Sequence, residues 1–99
     1  MIIVLGKVSV APQHRAQARA LADEHVLRSR GEPGCVAHNW YEDRGRPDDL
    51  MFVEEWASMA DLQRHFRVPA SRAFVKTLGA LATARPQMRI FDADQVPFP

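Results

Sequence analysis

Two neighbouring segments, GCVAHNWYED (residues 34–43) and DDLMFVEEW (residues 48–56), read as β-strands without a wet side. Strand side chains alternate between faces, so one side of the first carries Val36, His38 and Trp40, and the other Cys35, Ala37, Asn39 and Tyr41. In the second, Leu50, Phe52 and Trp56 alternate with Met51 and Val53. A sheet with one solvated face should alternate apolar with polar. Both faces of these strands are therefore expected to be covered. The chain's own helices can cover one; a second copy is expected to cover the other, giving a homodimer whose interface resembles a halved core.

The rest of the chain supplies those helices. MIIVLGKVSV (residues 1–10) is rich in β-branched residues and predicts a strand, with Gly6 expected at a bulge or a close approach. In residues 12–31 the period changes, and Ala18, Leu21, Ala22 and Val26 form a helical stripe. Pro12 suits the first turn, and Gly31 with Pro33 marks the stop. The turn RGRP joins the two strands, and Ser58 with Asp61 opens the next helix as a weaker form of the capping box. Met59, Leu62 and Phe66 are expected to point inward from it as far as Pro69, and Phe74, Val75, Leu78 and Leu81 from the helix that follows. RPQMRIFDAD predicts a last strand, and QVPFP a short tail. The order β-α-β-β-α-α-β is the split βαβ arrangement of ferredoxin-like α+β folds, an antiparallel sheet with helices on one face. The expectation is one domain over residues 1–99, with its core at about residues 2–92.

Several function classes drop out. The charge of +1 comes from 13 basic and 12 acidic side chains scattered along the chain, so neither nucleic acid nor an anionic membrane is an expected partner. One cysteine, Cys35, cannot form an internal disulfide, and the apolar run MIIVL is too short for an export signal; both fit a cytoplasmic protein. No GxGxxG or GxxxxGK[ST] loop is present, nor a GxSxG elbow. His14, His25, His38 and His65 have no HxxxH or HExxH spacing, and Cys35, inside an apolar strand, reads as a packed thiol. The expectation is no metal and no cofactor.

Glu32-Pro-Gly-Cys35, Glu54-Glu-Trp56 and Leu62-Gln-Arg-His65 ahead of Pro69 and Phe74 together resemble the antibiotic biosynthesis monooxygenase family, which includes small quinol monooxygenases. The element order agrees along residues 2–92. The resemblance implies a dimeric α+β barrel and a cofactor-independent monooxygenase. Its substrates would be oxygen and a flat, electron-rich aromatic such as a quinol, an anthrone or another polyketide. Two departures stand out. The histidine that often follows the proline of the helix break is Ala70 here, and the Asn, Trp and His of haem-degrading relatives fall near Gly6 or Lys7, at His65, and near Phe74 or Val75. Haem degradation is disfavoured.

The candidate site follows from both readings. His65 either ties helix to sheet or accepts a proton beside an apolar cavity. Glu54 shares a strand face with Trp56. It either pairs with Arg64, Arg67 or Arg72 or orients His65, because a bare buried carboxylate costs several kcal/mol. Trp56 is a core residue whose indole N–H would donate to a substrate if it lines a cavity. Asn39, an amide among apolar neighbours, needs partners at a strand end, at an interface or on a substrate. Phe52, Phe66 and Phe74 are candidate walls. His38 is expected at the dimer interface or another strand-packing surface, and Met51, Met59 and Met88 in the core. Alternatives to the oxygenase are a non-oxidative isomerase or cyclase using the same pocket, and a non-catalytic dimeric binding or stress-response module.

Overall fold

The computed structural model describes residues 1–99. Strand β1 (Ile2–Ser9) leads through a short 3-10 turn (Pro12–His14) into helix α1 (Arg15–Ser29). Strands β2 (Cys35–Asp43) and β3 (Arg46–Trp56) form a hairpin. Helices α2 (Met59–Arg67) and α3 (Pro69–Leu81) precede strand β4 (Gln87–Asp92). The strands lie in the order β2-β3-β1-β4, every neighbouring pair antiparallel, which is the ferredoxin-like topology.

The helices pack on one face, and the core beneath them is split. One apolar cluster joins Val8, Leu50 and Phe52 of the sheet to Ala18, Ala22 and Val26 of α1 and Leu78 of α3. A second joins Ile2, Val4 and Trp56 to Leu62 of α2, with Cys35 and Phe66 against it. Between the clusters lie buried polar side chains: His25, His38, Glu54 and His65. The sheet's other face carries Ile3, Leu5, Met51 and Val53, only half-buried in the single chain, with Tyr41 53% and Phe91 43% exposed.

Several expectations need correcting. Gly6 forms no bulge, being in register with Phe52 on one side and Met88 on the other. The irregularities are at Val36 and between Glu42 and Asp43, where the register with β3 shifts; Val36 is squeezed out to solvent and Cys35 pairs with Trp56. His38 pairs with Glu54 and is buried under the helices, not on the open face, whereas Asn39 pairs with Val53 on the side away from them. Alternation within a strand says which residues share a face, but the register against β3 decides which face that is. Met59, Val75 and Met88 are exposed. Pro47 lies within β3, near its start.

Gly34 sets the entry to β2. Its φ of +77° is left-handed, and a Cβ there would lie 2.1 Å from the Asp61 carboxylate. Asp61 is held by Ser58 Oγ at 2.8 Å and by Arg64 at 3.0 Å, so it cannot easily withdraw. Gly34→Ala is expected to lower stability by about 1–3 kcal/mol. A lower urea midpoint with an unchanged slope would show it.

Candidate functional site

The buried polar seam opens on a cavity of about 580 Å³, large enough for a fused-ring aromatic. His25, Glu54 and His65 line its inner end, and Phe52, Phe66 and Phe74 are among its walls. Exposed Arg72 and Lys76, one turn apart on α3, add positive charge to its lining. Trp56 and Asn39 do not line it.

His65 reaches the seam because α2 starts at a firm cap. The Ser58 side chain accepts from the Asp61 N–H at 3.2 Å, and Leu62 and His65, three residues apart, then share the buried face. The ring sits 4.7 Å from the Trp56 ring, and its Nδ1 is 2.9 Å from Glu32 Oε1. With neutral His65, a carboxylate there takes the Nδ1–H and leaves the Nε2 lone pair free. The orienting carboxylate is therefore Glu32, from the turn after α1, and not Glu54.

Glu54 has other partners. It accepts from Trp56 Nε1–H at 3.0 Å, and Oε1 lies 3.3 Å from His38 Nε2. Burial pushes its pKa up, but His38, the indole N–H and His65 outweigh that, and the net shift is downward. The anion is thus held without any of the arginines named from the sequence. Trp56, fully buried, spends its N–H on this carboxylate. The 3.3 Å approach of His38 is within ion-pair range but off the hydrogen-bond direction, and both its ring nitrogens lack hydrogen-bond partners.

The third imidazole, His25, comes from the buried face of α1 and lies face to face on Phe74, centroids 3.9 Å apart. Arg28 Nη2 is 2.8 Å from its Nδ1. Burial first, then His38, His65 and Arg28, push its pKa down to about 3. One nitrogen from each of His25, His38 and His65 lies within 4.8 Å of the others, the set best placed to hold a metal ion. The guanidinium works against that, because it can only donate and so leaves the His25 proton on Nε2. Cys35 is no nucleophile candidate, since burial, with Glu32 and Glu54 nearby, raises its pKa.

The arrangement thus joins an imidazole oriented by a carboxylate, a second imidazole held uncharged, and an apolar cavity. Glu54, Trp56 and His65 do come together, with only Glu54 and His65 at the cavity; Asn39 bonds to Tyr41 and its own strand on the far face. His25 and Arg28 were missed as site residues, His38 was placed on the wrong face, and Glu32 was named only as part of the Glu32–Cys35 motif. For His25 a signal existed, since it stands seven residues after Ala18 on the helical stripe. For Glu32 no pattern rule applied, because its partner is 33 residues away.

Residues 1–77 match the family model of the antibiotic biosynthesis monooxygenases; β4 lies beyond the match. An uncharacterized Synechocystis protein is 31% identical over 90 residues, 91% of this chain. The chain spans 61% of that relative's length. A proposed antibiotic biosynthesis monooxygenase of Deinococcus radiodurans has the same fold, with a TM-score of 0.94 at 22% identity over 100% of this chain and 98% of the other. A Bacteroides thetaiotaomicron protein of unknown function, described as a possible oxidoreductase, gives 0.85 at 27% identity, covering 91% and 94%. No helix is long and apolar enough to cross a membrane.

Proposed function

Because the chain belongs to the antibiotic biosynthesis monooxygenase family, we propose that it oxidises a flat, electron-rich aromatic with molecular oxygen and without a cofactor. The observation that carries this reading is the Glu32–His65 pair at the inner end of an aromatic-walled cavity of about 580 Å³. Once its acidic hydrogen is lost, such a substrate is itself a reductant for oxygen. One oxygen atom enters the ring system, the other leaves as water, and all four electrons come from the substrate. The protein then supplies a base, a dry pocket and donors to the developing oxyanion. His65 is the base and Glu32 its orienter. Phe52, Phe66 and Phe74 stack on or flank the rings, and Arg72 and Lys76 favour a substrate with an anionic substituent. Glu54 holds Trp56 and His38 in place. Asn39 has no part in this pocket.

Oxygen uptake is expected when protein stripped of metals and flavin meets a panel of quinols and anthrones, with one labelled oxygen atom from O₂ in the product. Turnover without oxygen consumption would point to an isomerase or cyclase instead, and no turnover across the panel to a binding module.

The reading includes a homodimer formed through the open sheet face, where Tyr41, Met51, Val53, Ile3 and Phe91 await cover. Sedimentation at micromolar concentration is expected to give twice the chain mass of 11.2 kDa. Tyr41→Glu, which sets a charge in that face, is expected to shift the protein towards monomer.

A further inference from the structure

His25 has a role set by its neighbours on three elements. On its own helix, Arg28 Nη2 approaches Nδ1 at 2.8 Å. Arg28 is itself anchored, with Nη1 3.3 Å from Ser71 Oγ of α3 and 3.5 Å from Glu32 Oε2. A guanidinium has no acceptor, so Nδ1 must present its lone pair and the neutral ring must carry its hydrogen on Nε2. Phe74 of α3 fixes the plane by stacking at 3.9 Å, within 3° of parallel. On the remaining side are His65 of α2 and His38 of β2, with centroids 5.3 Å and 5.1 Å from His25. His25 and His65 both line the cavity.

We propose that His25 is a second catalytic imidazole, an uncharged Nε2–H donor to the same substrate oxygen that His65 deprotonates, with Arg28 as the positioning residue that fixes its tautomer. The proposal deepens the oxygenase reading and rests on it for the identity of the pocket as an active site. Both rings line the cavity with centroids 5.3 Å apart, so a single substrate oxygen seated between them can reach the two imidazoles. This selects a substrate class. The acidic hydrogen lies on oxygen, in a phenol or enol, and not on carbon. The O–H bond breaks, its proton goes to His65 Nε2, and the electron pair stays on an oxygen that His25 Nε2–H already faces. Because the basicity of His25 is suppressed, the ring does not compete with His65 for that proton. A neutral donor in a dry site also avoids placing a second cation beside the imidazolium that His65 becomes.

Ring ¹⁵N spectra of the full chain test the tautomer without any turnover. From pH 6 to 8 His25 is expected to show an unprotonated Nδ1 and a protonated Nε2, and Arg28→Leu to mix the two tautomers. Unsubstituted phenol, added as a dead-end ligand, is expected to shift the Hε2 resonance of His25. Catalytically, His25→Phe keeps the ring stack but loses the donor, and is expected to lower kcat by about 10²–10³. His25→Gln, which retains an N–H, should recover at least tenfold of that. An Nδ1–H tautomer in the unmodified protein, a silent Hε2 on phenol addition, or undiminished kcat in a folded His25→Phe would each overturn the proposal. If no phenol or quinol is oxidised yet the tautomer and the phenol shift are as stated, the oxygenase reading fails and the His25 donor site survives as a phenol-binding site.

Discussion

His65→Ala is expected to reduce kcat by about 10²–10⁴, the range that a positioned general base contributes. The expectation rests on the Nε2 lone pair that the Glu32 hydrogen bond to Nδ1, at 2.9 Å, leaves free on a ring that lines the cavity. The ring also fills space against Trp56, His25 and His38, so removing it opens a void in the buried seam and lowers stability. His65→Gln, closer in volume, separates the two effects. It should unfold near the parent midpoint while remaining as inactive as the alanine variant. Glu32→Gln keeps an acceptor for Nδ1–H but removes the charge that stabilises the imidazolium. A smaller loss, about tenfold, is expected, with the pH profile of kcat displaced and KM nearly unchanged. If folded His65→Ala takes up oxygen at the parent rate, the base is some other group.

Acid is expected to weaken the fold in two steps, the first of them earlier than carboxylates alone would bring. The folded pKa of His25 lies at about 3, below its ordinary value of 6.5, so the unfolded chain binds the proton more readily. Its contribution is complete above pH 6.5 and declines as the pH falls towards 3. The slope is at most about 1.4 kcal/mol per pH unit, or about 2 kcal/mol lost by pH 5. Against a typical total of about 5–15 kcal/mol this is a large share. The groups facing His25 oppose its protonation: Arg28 on its own helix, His65 on α2 and His38 on β2, while from α3 the Phe74 ring stacks on it and Arg72 and Lys76 add positive charge to the same cavity. Glu54 acts in a lower window. Its folded pKa is depressed, so its stabilisation is present above the ordinary value of 4.5 and is lost as the pH falls through the folded one. Urea unfolding at pH 7, 6 and 5 resolves the first step, and His25→Gln should remove it. A parent midpoint that stays flat between pH 7 and 5 would contradict the structure.

Much of the architecture is legible in the sequence because it is carried by local signals. The β-branched run of β1, the Ser58 cap and the Gly31–Pro33 stop each act within a few residues, and the element order follows from them. The two-sided apolar strands likewise announced an open face that one chain leaves half-buried. Glu54, His65 and the three phenylalanines could be named as residues of interest because each is chemically out of place or aligned with an apolar stripe.

The sequence by itself thus determined the elements, their order and the presence of buried polar groups. Tertiary structure alone decided which of those groups meet. The bulge at Val36 and the register against β3 sent His38 under the helices and Asn39 away from them, a choice that shifts with one residue of slip. The turn after α1 brought Glu32 to His65 across 33 positions, and the packing of α1 on α3 laid the Phe74 ring on His25 and Ser71 against Arg28. Hydrogen bonds between residues so far apart leave no periodic trace in a chain, because each depends on how whole elements dock and not on local spacing.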